Sequence, residues 1–148
     1  MAQYSYQKVV SIFQDACSAH LNVNTFNYGS LDLLDATSQN VAYPYVFLRP
    51  MQSNGLQNNV RNLTFEMYAL DVPKLSNENA LDIMSLMEQT SYDIISYFNR
   101  GQYQQEIGIQ LQSIIPALEA FQDRAYGWIS NIQVITDGKW DYCQFPQA

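Results

Sequence analysis

The chain has 148 residues, of which 47% are hydrophobic and 14% are charged, and its formal net charge is −7 at pH 7. This length and apolar content suffice for one domain with a hydrophobic core. The chain has seven scattered Lys and Arg residues against fourteen acids, which excludes ordinary nucleic-acid binding, because that needs clustered cations. No apolar run approaches the roughly 20 residues that cross a membrane, and no basic region followed by an apolar one opens the chain, so we expect neither a membrane segment nor a signal peptide.

The polar surface has an unusual composition. Charged residues fall well below the roughly 25% of a typical soluble domain, and the chain contains eleven tyrosines. Its surface must therefore be built largely from Asn, Gln, Ser and Tyr side chains. Such a surface costs less to dehydrate than one of Lys and Glu, so the composition predicts a component of an assembly. The alternative is a monomer with a neutral polar coat.

The first predicted elements are a helix, a short strand and a helical turn. Apolar side chains recur every three or four residues over 4–21, which indicates a helix with one buried face. Thr25–Tyr28 has the pattern of a short strand, Leu31–Leu34 that of a single helical turn, and 35–40 that of a loop.

A strand and a loop are predicted next. Val41–Leu48 is rich in β-branched and aromatic residues, which indicates a strand that Pro50 ends. A proline such as Pro44 is tolerated at a sheet edge or at the start of a strand, which argues against a central placement, and we expect this strand to be an edge. Residues 51–59 have neither charge nor periodicity and are predicted to be a loop.

A strand and a long helix follow. Residues 60–71 alternate in polarity, which predicts a half-buried strand that Asp71-Val72-Pro73 ends. Ser76–Arg100 has the spacing of an amphipathic helix of more than six turns, with Ser76 as N-cap and Gly101 just past its end. We expect the helix to pack onto the strand through two sets of apolar side chains: Ile83, Met87, Ile94 and Phe98 from the helix, and Leu63, Phe65 and Met67 from the strand.

The last third of the chain is predicted to be mainly strand. Residues 107–112 alternate, 114–123 are predicted to be irregular because Pro116 interrupts them, and Arg124–Thr136 is a long alternating strand. Asp137-Gly138 is typical of a two-residue hairpin, with Lys139–Phe145 as the returning strand. The order of elements predicts one α+β domain over 1–148, with a mostly antiparallel β-sheet packed against a long central helix and an N-terminal helix.

The sequence contains few groups with catalytic potential. His20, the single histidine, lies three residues after Cys17 on the same apolar helix face, without an oxyanion hole or a third member, which is typical of a structural imidazole. Cys17 and Cys143 are expected to be free thiols in a reducing compartment. There is no phosphate loop, serine-hydrolase motif or metal-ligand motif. We therefore expect no enzyme, with no catalytic, cofactor-binding or metal-binding residues.

The predicted elements of this chain follow a definite order. An N-terminal helix comes first, then the strand pair Tyr43–Leu48 and Arg61–Asp71, and then a long helix after a proline-marked turn. A late strand, Ala125–Thr136, begins with Tyr126-Gly127-Trp128 after an irregular stretch. This order resembles that of the small tail-terminator and head–tail joining proteins of tailed bacteriophages, and the resemblance covers most of the chain. It implies a structural virion protein of the neck or tail, assembled in the cytoplasm of the bacterial host.

The resemblance further implies a homo-oligomeric ring of six or twelve copies. Such a ring would bridge the portal or an adaptor to the tail proteins around a channel, with DNA only as passing cargo. We expect sheet edges and the loop 51–59 to form the subunit contacts. The candidate contact residues are Tyr43, Tyr45, Asn54 and Leu56.

Acidic side chains are candidates for the channel lining. A ring that lets DNA pass must not hold it, and the outer face of the long helix carries Glu78, Asp82 and Asp93. In other interpretations a strand face lines the channel, or these acids only keep the particle soluble. The alternative function is a non-enzymatic protein-binding module, monomeric or dimeric, with a tyrosine-rich contact surface.

Overall fold

The computed structural model describes residues 4–37, 40–57, 60–73, 78–101, 103–120 and 124–137. Four helices, five strands and a short 3-10 turn lie in these ranges. In chain order they are α1 Tyr6–Ala19, β1 Thr25–Tyr28, α2 Leu31–Thr37, β2 Tyr45–Gln57, β3 Val60–Asp71, α3 Ala80–Ser96, the 3-10 turn Tyr97–Asn99, α4 Tyr103–Glu106, β4 Gly108–Ala120 and β5 Ala125–Asp137.

The five strands form one sheet in the order β1-β2-β3-β5-β4. The pair β1–β2 is parallel, and the other three pairs are antiparallel. The predicted class is confirmed, since a mostly antiparallel sheet packs against a long central helix and an N-terminal helix. Among the described helices, none combines the length and the apolar character needed to cross a bilayer.

The main core lies between one face of the sheet and the helices α1 and α3. The predicted packing of the long helix onto β3 is confirmed, because the two predicted sets of side chains belong to one buried cluster. Phe13 of α1 joins the two sets: its ring centroid is 4.7 Å from that of Phe98 and 5.4 Å from that of Phe65. The Trp128 indole N–H of β5 also donates to the Met84 carbonyl of α3 at 2.8 Å, which fixes the helix on the sheet.

The long helix is shorter than predicted. It begins at Ala80, four residues after Ser76, which lies outside the described residues, and its 17 residues and the following 3-10 turn fall short of six turns. Asn79 precedes the helix with φ −103° and ψ 17°, outside the helical region, so the first turn cannot extend back through it. At the other end Gly101 has φ +52°, which suits the predicted role of a glycine that ends a helix.

The first helices and strand follow the predictions closely. Ser5 caps α1 through a bond from the Lys8 N–H, and β1 has the predicted bounds. The predicted single turn is a seven-residue helix, α2, so the loop predicted from residue 35 begins later. In the last turn of this helix, the Thr37 hydroxyl donates to the Leu33 carbonyl at 2.8 Å.

The strand β2 differs most from its prediction. It begins at Tyr45 and runs to Gln57, so the loop predicted over 51–59 is wrong as far as Gln57. Pro50 does not end the strand, because the pairing with β3 shifts register between Pro50 and Gln52. Such a bulge accommodates a residue that has no N–H to donate. The predicted edge position is also wrong, since β2 lies between β1 and β3.

The predicted irregular stretch over 114–123 is also wrong, because β4 continues to Ala120. Pro116 lies opposite Trp128 within the ladder. This position is compatible with a proline because β4 is at the edge of the described sheet, where one side of the strand makes no ladder bonds. Two residues in this region have positive φ: Glu119, at 52°, near the end of β4, and Arg124, at 56°, just before β5.

The strand β5 confirms the last long prediction. Its even-numbered side chains, including Ile132 and Val134, face the main core, as the alternation predicts. The predicted turn at Asp137-Gly138 and the strand Lys139–Phe145 lie outside the described residues beyond Asp137. Within the described sheet, β5 is flanked by β3 on one side and by β4 on the other.

Candidate subunit-contact surface

The face of the sheet opposite the main core divides into an apolar half and a polar half. Residues directly opposite one another in neighbouring strands point to the same face, so the registers define rows across the sheet. Two rows form the apolar half; from β2 through β3 and β5 to β4 they are Tyr45, Leu70, Gly127, Ala117 and Phe47, Tyr68, Ile129, Ile115. Leu34 of α2 packs against this half and is fully buried there.

The polar half consists of three further rows, which we call the amide-rich face. In the same strand order the rows are Arg49, Glu66, Asn131, Ser113; then Gln52, Thr64, Gln133, Gln110; then Asn54, Asn62, Ile135, Gly108. Amide and hydroxyl groups dominate these positions. None of the described helices belongs to a cluster on this half, since α1 and α3 pack on the opposite face and α2 on the apolar half.

The charges on the amide-rich face cancel one another. The Arg49 guanidinium donates to the Glu66 carboxylate at 2.9 Å, and the Tyr68 hydroxyl donates to the same oxygen at 3.1 Å. The other polar side chains in the rows are neutral. The face can therefore approach another protein surface without desolvating an unpaired ion, which is the costly step in burying a polar surface.

Several side chains on this face already bond to each other or remain unsatisfied. Gln52 donates to the Asn54 side-chain oxygen at 2.7 Å, and Gln112, beside the β4 bulge, donates to the Gln133 oxygen at 3.1 Å. The Asn62 Oδ1 atom is buried and has no hydrogen-bond partner among the described residues.

The size of the amide-rich face limits what it can do alone. Three rows about 6.6 Å apart on four strands about 4.8 Å apart cover roughly 400 Å². A stable protein interface buries about 800 Å² on each partner. The face is therefore about half of a standard interface, and a subunit contact needs a second surface in addition.

The predicted contact residues lie in different environments. Tyr45 is fully buried beneath α2, where its hydroxyl accepts a bond from Asn27 Nδ2 at 3.0 Å and lies 2.9 Å from the Thr37 hydroxyl. It is an internal residue of the folded chain, because β2 lies between β1 and β3 at this position. Asn54 is exposed and belongs to the amide-rich face.

Neither of the other two contact candidates, Tyr43 and Leu56, belongs to the rows of the amide-rich face. Tyr43 is half-buried ahead of β2, its carbonyl accepts a bond from Asn24 Nδ2 at 2.6 Å, and its bond to Pro44 is cis. The Leu56 side chain lies outside the described side chains, although its backbone belongs to β2. The contact role of Tyr43, Asn54 and Leu56 stays a prediction.

The candidate channel acids are not equivalent. Glu78 and Asp82 are exposed, whereas Asp93 is engaged with α1. One Asp93 oxygen lies 2.9 Å from His20 Nε2, and the other accepts from Gln89 Nε2 at 2.9 Å. Burial raises the pKa of Asp93, but the bonds from His20 and Gln89 lower it by more, so that its pKa lies below the usual value. Asp93 therefore ties α3 to α1 and is not a free acid of an outer face.

The His20 imidazole is held in one orientation. Its Nδ1 atom accepts the Asn22 backbone N–H at 3.1 Å, which leaves Nε2 to donate to Asp93. Sequence reasoning correctly predicted a partly buried structural imidazole but missed its carboxylate partner, which is 73 residues away. Because both ring nitrogens are engaged, the imidazole has no free lone pair with which to activate Cys17.

Cys17 is itself a poor nucleophile. It is buried in the main core as a free thiol, and burial raises its pKa to about 12.

A pocket of about 340 Å³ lies beside His20 and Asp93. Tyr97 and Arg100 also line it, and the Arg100 guanidinium carbon lies 5.4 Å from the Tyr97 ring centroid. Within the described residues, no three side chains among His, Cys, Asp and Glu lie close enough together to hold a metal ion.

The amide-rich face had a partial signal in the sequence. The polar positions of β3 and β5 were visible from alternation, but their alignment into rows depends on the register of four strands.

Comparison of the chain with protein-family models and with the sequences of curated proteins gives no match.

Proposed function

We propose that this protein is a structural subunit of a ring at the neck or tail of a bacteriophage virion, where it joins the portal or an adaptor to the tail around the DNA channel. The observation that supports the proposal best is the amide-rich face, a neutral polar surface on the side of the sheet away from α1 and α3. It is the kind of surface that the charge-poor composition predicts for an assembly component.

The element order that carries the resemblance is present in the fold. The elements follow one another in the order on which the resemblance rests: the N-terminal helix α1, the strand pair β2–β3, the long helix α3 after the segment that contains Pro73, and the late strand β5. The stretch before β5, expected to be irregular, is instead the strand β4.

The ring proposal is tested by the oligomeric state of the purified protein. We expect native mass spectrometry to give one closed species of six or twelve copies, and negative-stain images to show a central opening. Gln133→Lys places a charge near the centre of the amide-rich face and should shift the protein toward monomer. Gln14→Lys, at an exposed position of α1, is the matched control and should assemble as the parent does.

A protein that stays monomeric at high concentration, both alone and with a portal complex added as template, would contradict the ring. An unchanged assembly of Gln133→Lys would instead remove the amide-rich face from the contact.

A second candidate function, a monomeric or dimeric protein-binding module, is favoured by one cluster of exposed side chains. Tyr6 and Tyr28 are each more than a third exposed, their hydroxyls lie 2.6 Å apart, and Met51 is 45% exposed. Tyrosine and methionine are common in contact surfaces. In this case Tyr6→Ala would abolish partner binding without changing the oligomeric state, whereas Gln133→Lys would leave binding intact.

A further inference from the structure

The outer edge of β4 is the longest strand edge that no described strand pairs with. Strand β4 has 13 residues and pairs on one side with β5, whereas β1, at the other edge of the described sheet, has four residues. An open edge presents backbone N–H and C=O groups that can pair with another chain, and charged side chains normally protect it. Glu119, near the end of the strand, is the one charged residue of β4.

Pro116 limits the part of this edge that can pair. A proline has no N–H to donate, so a ladder added to β4 without interruption covers residues 108–115. These eight residues all belong to the described strand, and none of them is charged. The stretch is about 26 Å long.

A bulge in the middle of the stretch decides how a second strand can align with it. Leu111 pairs with Ile132 of β5 and Ser113 pairs with Asn131, which leaves Gln112 as the extra residue. The alternation of faces therefore reverses at the bulge. Odd-numbered side chains of β4 point to the side of the main core before it, and even-numbered side chains do so after it.

Two copies of this stretch match each other in one antiparallel register. With a two-fold axis between Leu111 and Gln112, the two bulges lie opposite each other. The pairs across the junction are then Gly108 with Ile115, Ile109 with Ile114, Gln110 with Ser113, and Leu111 with Gln112. In the first three pairs both positions face the same side of the sheet, as directly opposite residues must. The bulge makes this register possible, since uninterrupted alternation would put the two positions on opposite faces.

The side chains that meet in this register suit one another. On the outer face, exposed Gln110 meets exposed Ser113, whose hydroxyl can bond to the amide. On the side of the main core, partly buried Ile109 meets partly buried Ile114, so that more of their apolar surface leaves water. Ile115, which is 51% exposed, meets a glycine that leaves room for it.

We infer that two copies of this chain pair through residues 108–115 of β4, antiparallel and about a two-fold axis perpendicular to the sheet. The two five-stranded sheets then become one sheet. Because paired positions face the same side, the two amide-rich faces lie next to each other and together cover roughly 800 Å². This is the area that a stable interface buries on each partner, so the pairing supplies what one copy lacks.

The inference goes beyond the proposed ring and does not depend on it. A two-fold contact joins copies in pairs, whereas the contact that closes a ring is head-to-tail. If both contacts form in one particle, a six-membered ring of pairs contains twelve copies.

Disulfide cross-linking between two different variants tests the register. All proteins carry Cys143→Ser, and buried Cys17 stays in place. A tagged Gln110→Cys protein is mixed with an untagged Ser113→Cys protein and oxidised mildly. We expect at least about tenfold more tagged–untagged dimer than in a mixture of Gln110→Cys with Leu81→Cys, whose position is 81% exposed on α3.

Each cysteine variant alone is a further control. In the inferred register, identical positions of the two copies are three residues apart along the strands, or about 10 Å, which exceeds the reach of a disulfide. Gln110→Cys alone and Ser113→Cys alone should therefore form few dimers. A matched mixture that cross-links no more than the Leu81→Cys mixture would overturn the inference, and so would equal cross-linking of either variant alone.

A charge exchange at Gln112 gives a second readout. This residue lies next to the two-fold axis, so Gln112→Lys brings two positive charges together and Gln112→Glu brings two negative charges together. Sedimentation velocity should show at least about tenfold weaker dimerisation of either variant, and an equal mixture of the two should restore the dimer. Gln14→Lys and Gln14→Glu, at an exposed position of α1, should behave as the parent does. A mixture that dimerises no better than its components contradicts the pairing.

Native mass spectrometry separates this inference from the proposed function. If matched cysteines cross-link but no ring forms even with a portal complex, the pairing stands and the ring proposal fails. If the parent forms a six-membered ring and the matched cysteines do not cross-link, the ring proposal stands and the pairing is wrong.

Discussion

Gly127 of β5 lies against the backbone of Ala69 of β3, so closely that a Cβ atom at Gly127 would be 1.8 Å from the Ala69 carbonyl oxygen. The obstacle is main chain in the middle of the sheet and cannot rotate away as a side chain would. The glycine in the Tyr126-Gly127-Trp128 sequence is therefore required by the contact between two strands.

The first prediction concerns this glycine. We expect Gly127→Ala to lower the free energy of unfolding by at least about 3 kcal/mol, at the upper end of the usual cost of overpacking, because the strands must separate. Urea denaturation followed by circular dichroism measures the change. Gly108→Ala is the control, since a Cβ there meets Ile135 at an ordinary 3.4 Å. Equal stability of the two variants would contradict the close approach.

The second prediction concerns the core under α3. Phe98 is fully buried between the helices and the sheet, so Phe98→Ala should lower the free energy of unfolding by about 3–5 kcal/mol. Leu81→Ala, on the exposed side of α3, should change the free energy of unfolding by less than about 0.5 kcal/mol. Thermal or chemical denaturation compares the two. If Phe98→Ala unfolded at the same temperature as the parent, the apolar side of the helix that ends near Phe98 would have to face elsewhere.

The third prediction concerns the bond between His20 and Asp93. The folded pKa of Asp93 is lowered, so its ionised form stabilises the fold above its unfolded pKa of about 3.9, and this contribution is lost as the pH falls through the folded value. Asp93→Asn should therefore be less stable than the parent near neutral pH, with the difference shrinking as the pH falls below about 4. Urea midpoints measured across this range test it.

The control for that experiment is Asp15→Asn, at an exposed acid of α1. Because Asp93 is partly exposed, solvent screens the pair and the difference should be modest. A constant difference at all pH values would mean that Asp93 acts through packing and not through its charge.

The fourth prediction concerns Cys17. With its pKa raised to about 12, only about one thiol in 10,000 is ionised at pH 8, and burial blocks access as well. In a Cys143→Ser background, Cys17 should react with iodoacetamide at least about 100-fold more slowly in the native protein than in urea. Mass spectrometry of the labelled protein gives the two rates. Rapid native labelling would show that the core beside α1 opens readily.

The fifth prediction concerns the channel. If Glu78 and Asp82 face passing DNA, changing both to Lys should give particles that assemble but release DNA poorly, because cations bind the phosphate backbone. Asp93 is left unchanged, since its loss would disturb the contact with α1. The matched control changes two other exposed acids, Asp15 and Asp32, to Lys. Normal infectivity of the Glu78 and Asp82 variant would show that these residues only form a solvent-exposed surface and do not face the DNA.

The elements with regular periodicity were predictable from the sequence. Strand β3 and strand β5 alternate cleanly, and their bounds were predicted to within a residue. The two prolines inside strands were misinterpreted. Pro50 is accommodated by a bulge and Pro116 by an edge position, and both depend on the neighbouring strand and not on the local sequence.

The candidate surface was less predictable than the fold. Composition indicated a charge-poor contact surface, but the rows of the amide-rich face combine residues up to about 80 positions apart in the chain, such as Asn54 and Ile135. Long-range pairs of this kind leave no local pattern. The same reason explains why Asp93 was placed on an outer face: its partner, His20, is set by the packing of α1 on α3.

The position of β5 in the sheet has a consequence for how the chain folds. Strand β5 is made after β3 and β4, yet it lies between them. Until it is inserted, β3 and β4 have no contact through the sheet, and the main core does not contain Ile132 and Val134. Closure of the sheet therefore waits for a strand that is made after both of its neighbours, and such non-local pairing is slow. The chain therefore completes its sheet, and with it the amide-rich face, only after β5 has been synthesised.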